Sequence, residues 1–211
     1  MIDLYTWSTP NGRKVSIMLE ECELQYRVHP INIGKDEQST PDYLEIAPNN
    51  KIPAIVDEEN SFSLFESGAI LMYLADKTGK FWPQDFETKW RTIEWLMWQM
   101  GGVGPMIGQA HHFIKNNKGV SEYAERRYLE EANRLYDVLD QRLEDNEYVT
   151  GSEYTIADIS IWPWISRFEW HTVDMNEYSN VVRWYKSLAA RPAVEKGYHI
   201  PVQQPGGIPL P

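Results

Sequence analysis

The chain has 211 residues, 42% of them apolar and 24% charged, and a formal net charge of −11. That length and composition suit one large or two small packed domains. The acidic balance argues against nucleic acid as a partner and gives no reason to expect anionic membranes as one. Residues 1–5 lack a basic region followed by an apolar stretch, and no apolar run is long enough to span a bilayer, so the expectation is a soluble, cytoplasmic protein without a signal peptide.

Cys22 is the single cysteine, which excludes an internal disulfide and any CxxC redox or zinc motif. Its place on the apolar side of an expected helix reads as a buried, inert thiol. Nine Trp and twelve Tyr, concentrated in the second half, point to an aromatic helical core or an apolar cleft.

In chain order, residues 2–6 read as a strand and Thr9-Pro10-Asn11-Gly12 as a turn. Helical spacing of Val15, Met18, Leu19 and Cys22 follows over 11–22. Residues 26–33 alternate as a second strand, and a polar loop with a short helix covers 36–46. Strands are expected over 52–57 and 61–64, then a helix over 67–77. This β-α-β-α-β-β-α order suits a thioredoxin-like domain over residues 1–80. Residues 81–88 read as a linker.

From residue 89 to 211 the pattern is all-helical with an irregular tail from Pro201. Trp90, Ile93, Leu96, Met97 and Met100 share a face. Gly101-Gly102-Val103-Gly104-Pro105 should interrupt their helix. A long helix is expected over 121–145 with Tyr128, Leu135, Val138 and Leu139 inward. Thr155-Ile156-Ala157-Asp158 has the form of a capping box, with Asp in place of the usual Glu. That helix should run to about Phe168, and another should cover about 178–190.

Two segments carry chemistry. In Asn50-Lys51-Ile52-Pro53-Ala54-Ile55-Val56-Asp57, the residue before proline is driven extended, so Ile52 should present its backbone N–H and C=O to an added extended peptide, ahead of a plausible cis Pro53 bond. Lys51 offers a cation for a carboxylate. In Phe65-Glu66-Ser67-Gly68-Ala69-Ile70, Ser67 reads as a helix N-cap whose hydroxyl also bonds an incoming carboxylate, and Glu66 as an acceptor for a ligand ammonium. Together they make a compact site for a small zwitterionic peptide; an ordinary turn, strand and capped helix would use the same residues.

These two segments, with Asn49 ahead of the first and Thr155-Ile156-Ala157-Asp158 in the second half, resemble the cytosolic glutathione transferases over nearly the whole chain. Thr9-Pro10-Asn11-Gly12, Leu64-Phe65-Glu66-Ser67 and Gly108-Gln109-Ala110-His111-His112-Phe113 look most like the bacterial Nu class, whose members act as glutathione-dependent disulfide-bond reductases. Fungal nitrogen-regulation proteins with a transferase-like domain share part of the pattern.

The resemblance implies an α/β thioredoxin-like domain followed by an all-α domain, glutathione as bound co-substrate, and a two-fold homodimer. It implies that Ile52 and Pro53 hold the cysteinyl unit, that Glu66 and Ser67 hold the γ-glutamyl end, and that Gln38 and Lys51 lie near the glycyl end. Thr9 and Asn11 would face the sulfur, and Arg127, or the adjacent Arg126, would reach in from the partner subunit. Ser8 stands where close relatives carry proline, two residues before Pro10, a spacing similar to that of the thiol-activating serine of theta-like transferases; Tyr5 is a further hydroxyl by analogy with tyrosine-type transferases. His111, His112, Phe113, Trp162 and Trp164 are candidate linings of a second-substrate pocket between the domains. His111-His112 lacks a further ligand at metal-binding spacing, so no metal is expected.

Without a CxxC pair the chain cannot pass two electrons through its own thiols, so any disulfide exchange must use glutathione as the thiol. A conjugating transferase needs the same thiolate plus a roomy apolar pocket. A non-catalytic glutathione-binding or regulatory module is a third reading, since fold alone does not settle function.

Overall fold

Ile2 and Leu4 alternate with Asp3 and Tyr5 in the first strand, and all but Tyr5 of this five-residue strand are buried, which marks it as interior to its sheet. The computed structural model describes residues 1–211. The chain divides into two compact units, Met1–Lys80 with Ala190–Ile208, and Phe81–Ala189 with Pro209–Pro211.

The first unit is built on strand β1 (Ile2–Thr6), helix α1 (Pro10–Glu21), β2 (Tyr26–Pro30), α2 (Pro41–Ile46), β3 (Ala54–Asp57), β4 (Phe62–Phe65) and α3 (Ser67–Thr78). The sheet order is β2-β1-β3-β4, with β1 parallel to β2 and antiparallel to β3, and β3 antiparallel to β4. This is the expected thioredoxin-like arrangement. The polar loop after β2 holds two 3-10 turns, Ile33–Lys35 and Glu37–Ser39, ahead of α2. Val15, Met18 and Leu19 on α1 are fully buried, each contributing about 1.5–3 kcal/mol of burial. Cys22 is buried beside Thr78, its Sγ 3.5 Å from Thr78 Oγ1.

The second unit is helical: α4 (Phe86–Trp98), α5 (Gly104–Ala110), α6 (Glu122–Glu144), α7 (Ile156–Ile165), α8 (Phe168–His171) and α9 (Ser179–Ala189). The glycine-rich stretch interrupts the first of these as a π-helical turn over Gln99–Val103, and a second π turn spans His111–Asn116. The buried stripe of α4 differs from the expected one. Leu96 is buried as expected, but Trp90 and Met97 are exposed, and Thr92 and Gln99 are the residues buried with Leu96, at i, i+4 and i+7. On α6 the interior positions are Ala132, Leu135, Tyr136, Leu139 and Leu143, with Tyr128 and Val138 only half-buried. The helix expected to reach Phe168 ends at Ile165, and α8 restarts there.

The capping box forms at α7 and is tied to its surroundings. Asp158 is fully buried and accepts from Thr155 N–H at 3.1 Å, Val149 N–H at 3.0 Å and Trp184 Nε1 at 2.9 Å. No helix is long and apolar enough to cross a membrane.

One helix, α10 (Pro192–Tyr198), was not expected from the sequence and belongs to the first unit. Pro192 in its first turn is the start signal. Gly197 lies against α1, where a Cβ would stand 2.6 Å from Ile17 Cα, so only glycine permits the approach. Ser16 Oγ donates to Gly197 O at 2.7 Å, Arg13 Nε donates to Tyr198 O at 3.2 Å, and Arg191 pairs with Glu21 through two bonds of 2.6 and 2.8 Å. Beyond His199 the tail has no regular structure, as its Pro and Gly content predicts.

Candidate functional site

Sheet register assembles the site. Tyr5 pairs with Ala54, and Ala54 with Phe65, in one row across β1, β3 and β4. The residues that follow Tyr5, precede Ala54 and follow Phe65 therefore emerge at the same end of the sheet. They are the Trp7-Ser8-Thr9 loop, Ile52-Pro53 and Glu66-Ser67, three segments far apart in sequence. Two helix N-termini, those of α1 and α3, begin in these segments, and each offers free N–H groups and a partial positive charge.

At α1, Thr9 is the N-cap, and its Oγ accepts from Gly12 N–H at 3.2 Å. Its own hydroxyl hydrogen remains available for a further acceptor such as a thiolate. Pro10 occupies the first turn and Asn11 follows it, half-buried. A Cβ at Gly12 would stand 2.2 Å from Trp7 O, so glycine lets the loop fold tightly onto the helix start. Ser8 is half-buried in the same loop. Tyr5 packs with its ring stacked on His29 at 4.6 Å and tilted on Tyr43, and burial pushes its hydroxyl pKa up, opposite to what a thiol-activating phenolate needs.

The Ile52-Pro53 bond is cis. Ile52 lies outside the paired register, which begins at Ala54. Tyr43 OH donates to Lys51 O at 2.8 Å and fixes the approach to the cis bond, while the Lys51 side chain is exposed. Gln38 sits in the turn before α2, its Nε2 3.3 Å from Asp36 Oδ1 and its Oε1 buried without a hydrogen-bond partner.

At α3, Ser67 is the first helical residue and Glu66 occupies the cap position without a side-chain cap bond, so the expected Ser67 N-cap is corrected by one residue. Glu66 adopts φ 71°, a left-handed conformation costing a non-glycine residue about 1–3 kcal/mol. It keeps the carboxylate exposed, 3.5 Å from Asn49 Nδ2. Ser67 is buried, and Lys14 Nζ donates to its Oγ at 3.2 Å. Burial pushes the Lys14 amine down to about 7, with Glu66 pulling the other way. The sequence reading missed Lys14; its signal was a cation on the buried face of α1, four residues before Met18.

The residues expected to line a second-substrate pocket separate in the helical unit. His111 is stacked between Trp164 at 5.7 Å and His171 at 4.7 Å, and Trp164 is buried. Trp162 stacks on Tyr185 and donates Nε1–H to its carbonyl at 3.1 Å. Trp162 and Trp164 thus pack the interior of that unit, with His111 half-buried against Trp164. His112 is exposed beside Asn117, and Phe113 stacks on Tyr128 at 5.5 Å. Arg127 is exposed on α6 and lines a surface groove with Met106, Tyr128 and Arg134; Arg126 beside it is also exposed. No cluster of three His, Cys, Asp or Glu side chains suited to a metal ion exists.

Comparison with known proteins agrees with this fold. Residues 1–76 match the family model described as glutathione S-transferase, N-terminal domain, and residues 122–187 match the corresponding C-terminal domain model. The disulfide-bond oxidoreductase YfcG of Escherichia coli is 47% identical over 198 residues, covering 92% of each chain. A glutathione transferase of Burkholderia graminis, crystallised with two glutathione molecules per subunit, superposes with a TM-score of 0.90 at 43% identity, covering 95% of this chain and 88% of its own. A Pseudomonas putida glutathione transferase with one glutathione disulfide bound per subunit gives a TM-score of 0.89 at 41% identity, covering 95% and 91%.

Proposed function

Because the chain belongs to the glutathione transferase family, we propose that it is a glutathione-dependent disulfide-bond oxidoreductase of that family, with bound glutathione as its redox thiol. The observation that carries this reading is the 47% identity, over 92% of both chains, to a protein named a disulfide-bond oxidoreductase. The site supports it in chemical terms.

The γ-glutamyl end of glutathione is a zwitterion. Its carboxylate goes to Ser67 Oγ and the N-terminus of α3, and its ammonium to Glu66. The Ile52 backbone pairs with the cysteinyl unit, and Gln38 and Lys51 take the glycyl end. Thr9 and Asn11 donate to the sulfur, with Ser8 as the other hydroxyl of that loop. A free thiol has a pKa of about 8.5, so only a few per cent is thiolate at pH 7; each unit of depression requires ~1.4 kcal/mol, within reach of one or two charge-assisted hydrogen bonds.

The thiolate attacks one sulfur of the substrate disulfide. A mixed disulfide with glutathione forms and one substrate thiol leaves with a proton. A second glutathione thiolate attacks the glutathione sulfur of that mixed disulfide, releasing the other substrate thiol and glutathione disulfide. The two electrons come from two glutathiones, and no protein thiol is consumed. Cys22 takes no part: it is buried, and burial pushes its thiol pKa up.

Within the family the motifs Thr9-Pro10-Asn11-Gly12 and Phe65-Glu66-Ser67 favour the Nu class. The reading takes the protein as a cytoplasmic homodimer in which Arg127 reaches the glutathione site of the partner subunit, and assigns His112 and Phe113 to the second substrate. The test is glutathione-driven reduction of a small disulfide by wild-type and Cys22→Ala protein. Equal rates support glutathione as the redox thiol; abolition of turnover in a folded Cys22→Ala protein contradicts it.

A further inference from the structure

Lys14 is a charged side chain in a place that disfavours charge. It is 1% exposed, on the inward side of α1 one turn after Asn11. Its amine donates to Ser67 Oγ at 3.2 Å, directly behind the start of α3. Such burial is costly for a lysine whose only task is packing, since a methionine of similar volume would fill the space without desolvating an amine.

The charged groups on neighbouring elements are engaged elsewhere. Arg13, next on the same helix, lies over the Tyr198 ring at 3.6 Å. On α10 and its cap, Arg191 pairs with Glu21, Lys196 with Glu20 and Glu195 with His199. In the sheet, Asp3 is held by Arg27 and His29, and Asp57 by Lys77 of α3. Glu66 is the acidic group whose field reaches the Lys14 amine.

We propose that Lys14 is a positioning residue for the γ-glutamyl carboxylate, acting through Ser67, and that ligand binding at Ser67 is coupled to proton uptake by the Lys14 amine. The proposal rests on the glutathione reading above. The amine donates to Ser67 Oγ, and a ligand carboxylate that accepts from the same hydroxyl would extend the bonds from Lys14 to Ser67 to carboxylate in one direction. The arriving negative charge favours the charged form of the amine. The ligand ammonium on Glu66 weakens that residue's pull, but the carboxylate is the nearer group, one hydroxyl away.

The amine titrates near neutrality in the free protein, so its protonation differs most between free and bound states at and above pH 7. Linkage then requires uptake on binding, and affinity that is level below about pH 7 and weakens by up to about tenfold per pH unit above it.

The probe is S-methylglutathione, which has no thiol proton to release. Calorimetric titration at pH 7 in buffers of different ionisation enthalpy reads the proton number. Wild-type protein should take up about half a proton per ligand, and Lys14→Met should take up close to none and bind with a flattened pH profile. A residue that merely fills space would change affinity without changing the proton number. Equal uptake by the variant, or binding by wild type with no uptake and no pH dependence between 6 and 8.5, overturns the proposal and leaves the glutathione reading standing. If Lys14→Met does not fold, the wild-type proton number and pH profile decide. A folded wild type that does not bind S-methylglutathione at all overturns the glutathione reading and the proposal with it.

Discussion

Thr9 caps α1 with its side-chain oxygen, and in the proposed function the same hydroxyl donates to the glutathione sulfur; substitution separates the two roles. Thr9→Ala removes the N-cap bond to Gly12 and should cost about 1 kcal/mol of stability. On the proposed function it also removes a donor to the thiolate; for each unit by which the bound thiol's pKa rises above 7 the thiolate fraction at pH 7 falls about tenfold, and disulfide turnover should fall about threefold, because the more basic thiolate is the better nucleophile. Thr9→Ser keeps the hydroxyl and should retain both properties. Denaturant unfolding beside a pH profile of kcat/KM distinguishes the outcomes: loss of stability with an unchanged profile would leave Thr9 a cap alone. Several of the residues in this region were legible in sequence because their chemistry is local. The residue before Pro53 must be extended, and an acid and a hydroxyl ahead of a helix are read without tertiary knowledge. Lys14 was not legible, because its meaning lies in Ser67, 53 residues away. Ser67 itself was misplaced by one because Glu66 takes a positive φ that sequence patterns do not announce.

At the scale of elements, α7 is anchored by one carboxylate. Asp158 receives bonds from Thr155, Val149 and Trp184 in a fully buried setting. Asp158→Ala leaves those donors without their acceptor and should destabilise the helical unit by about 3–5 kcal/mol, measured by urea unfolding. A loss under 1 kcal/mol would show that the box is incidental. The capping box was legible because it spans four residues, whereas the partners Val149 and Trp184 come from other segments.

The buried stripe of α4 was misread for a related reason. Trp and Met satisfy a helical period wherever they fall, and only packing shows that Thr92 and Gln99, rather than Trp90 and Met97, join Leu96 on the inward face. The stacked pair His111 and His171 makes the same unit sensitive to acid. Burial pushes His111 down to about 4 and His171 well below the usual histidine range, aided by Arg167, with Tyr136 OH 2.9 Å from His171 Nδ1. The unfolded chain therefore binds more protons than the folded one below pH 6.5, so this stability is complete above 6.5 and is lost as pH falls toward about 4. His111→Phe keeps a ring in the stack and removes one titrating group. Its Tm should fall less steeply than that of wild type between pH 6.5 and 4.5, and parallel slopes would contradict the assignment.

For the whole molecule, the β-α-β-α-β-β-α order and the switch to an all-helical pattern were visible in the sequence, because hydrophobic periods of two and 3.6 distinguish the halves. The membership of α10 in the first unit was not visible: it depends on Gly197 meeting Ile17 and on Arg191 meeting Glu21, across about 170–180 residues. The homodimer reading makes Arg127 a residue of the partner's site. Sedimentation should give a dimer mass, and Arg127→Ala should lower kcat/KM several-fold with that mass unchanged, more than Arg126→Ala does. A fully active monomer would contradict that role.

The central claim is that bound glutathione serves as a reductant rather than as a group to be transferred. The most direct measurement compares, on one preparation, glutathione-dependent reduction of a small model disulfide with glutathione conjugation to a chloronitrobenzene. The account predicts fast reduction and weak conjugation. Fast conjugation with negligible reduction would contradict it and move the sulfur chemistry from Thr9 and Asn11 to Ser8.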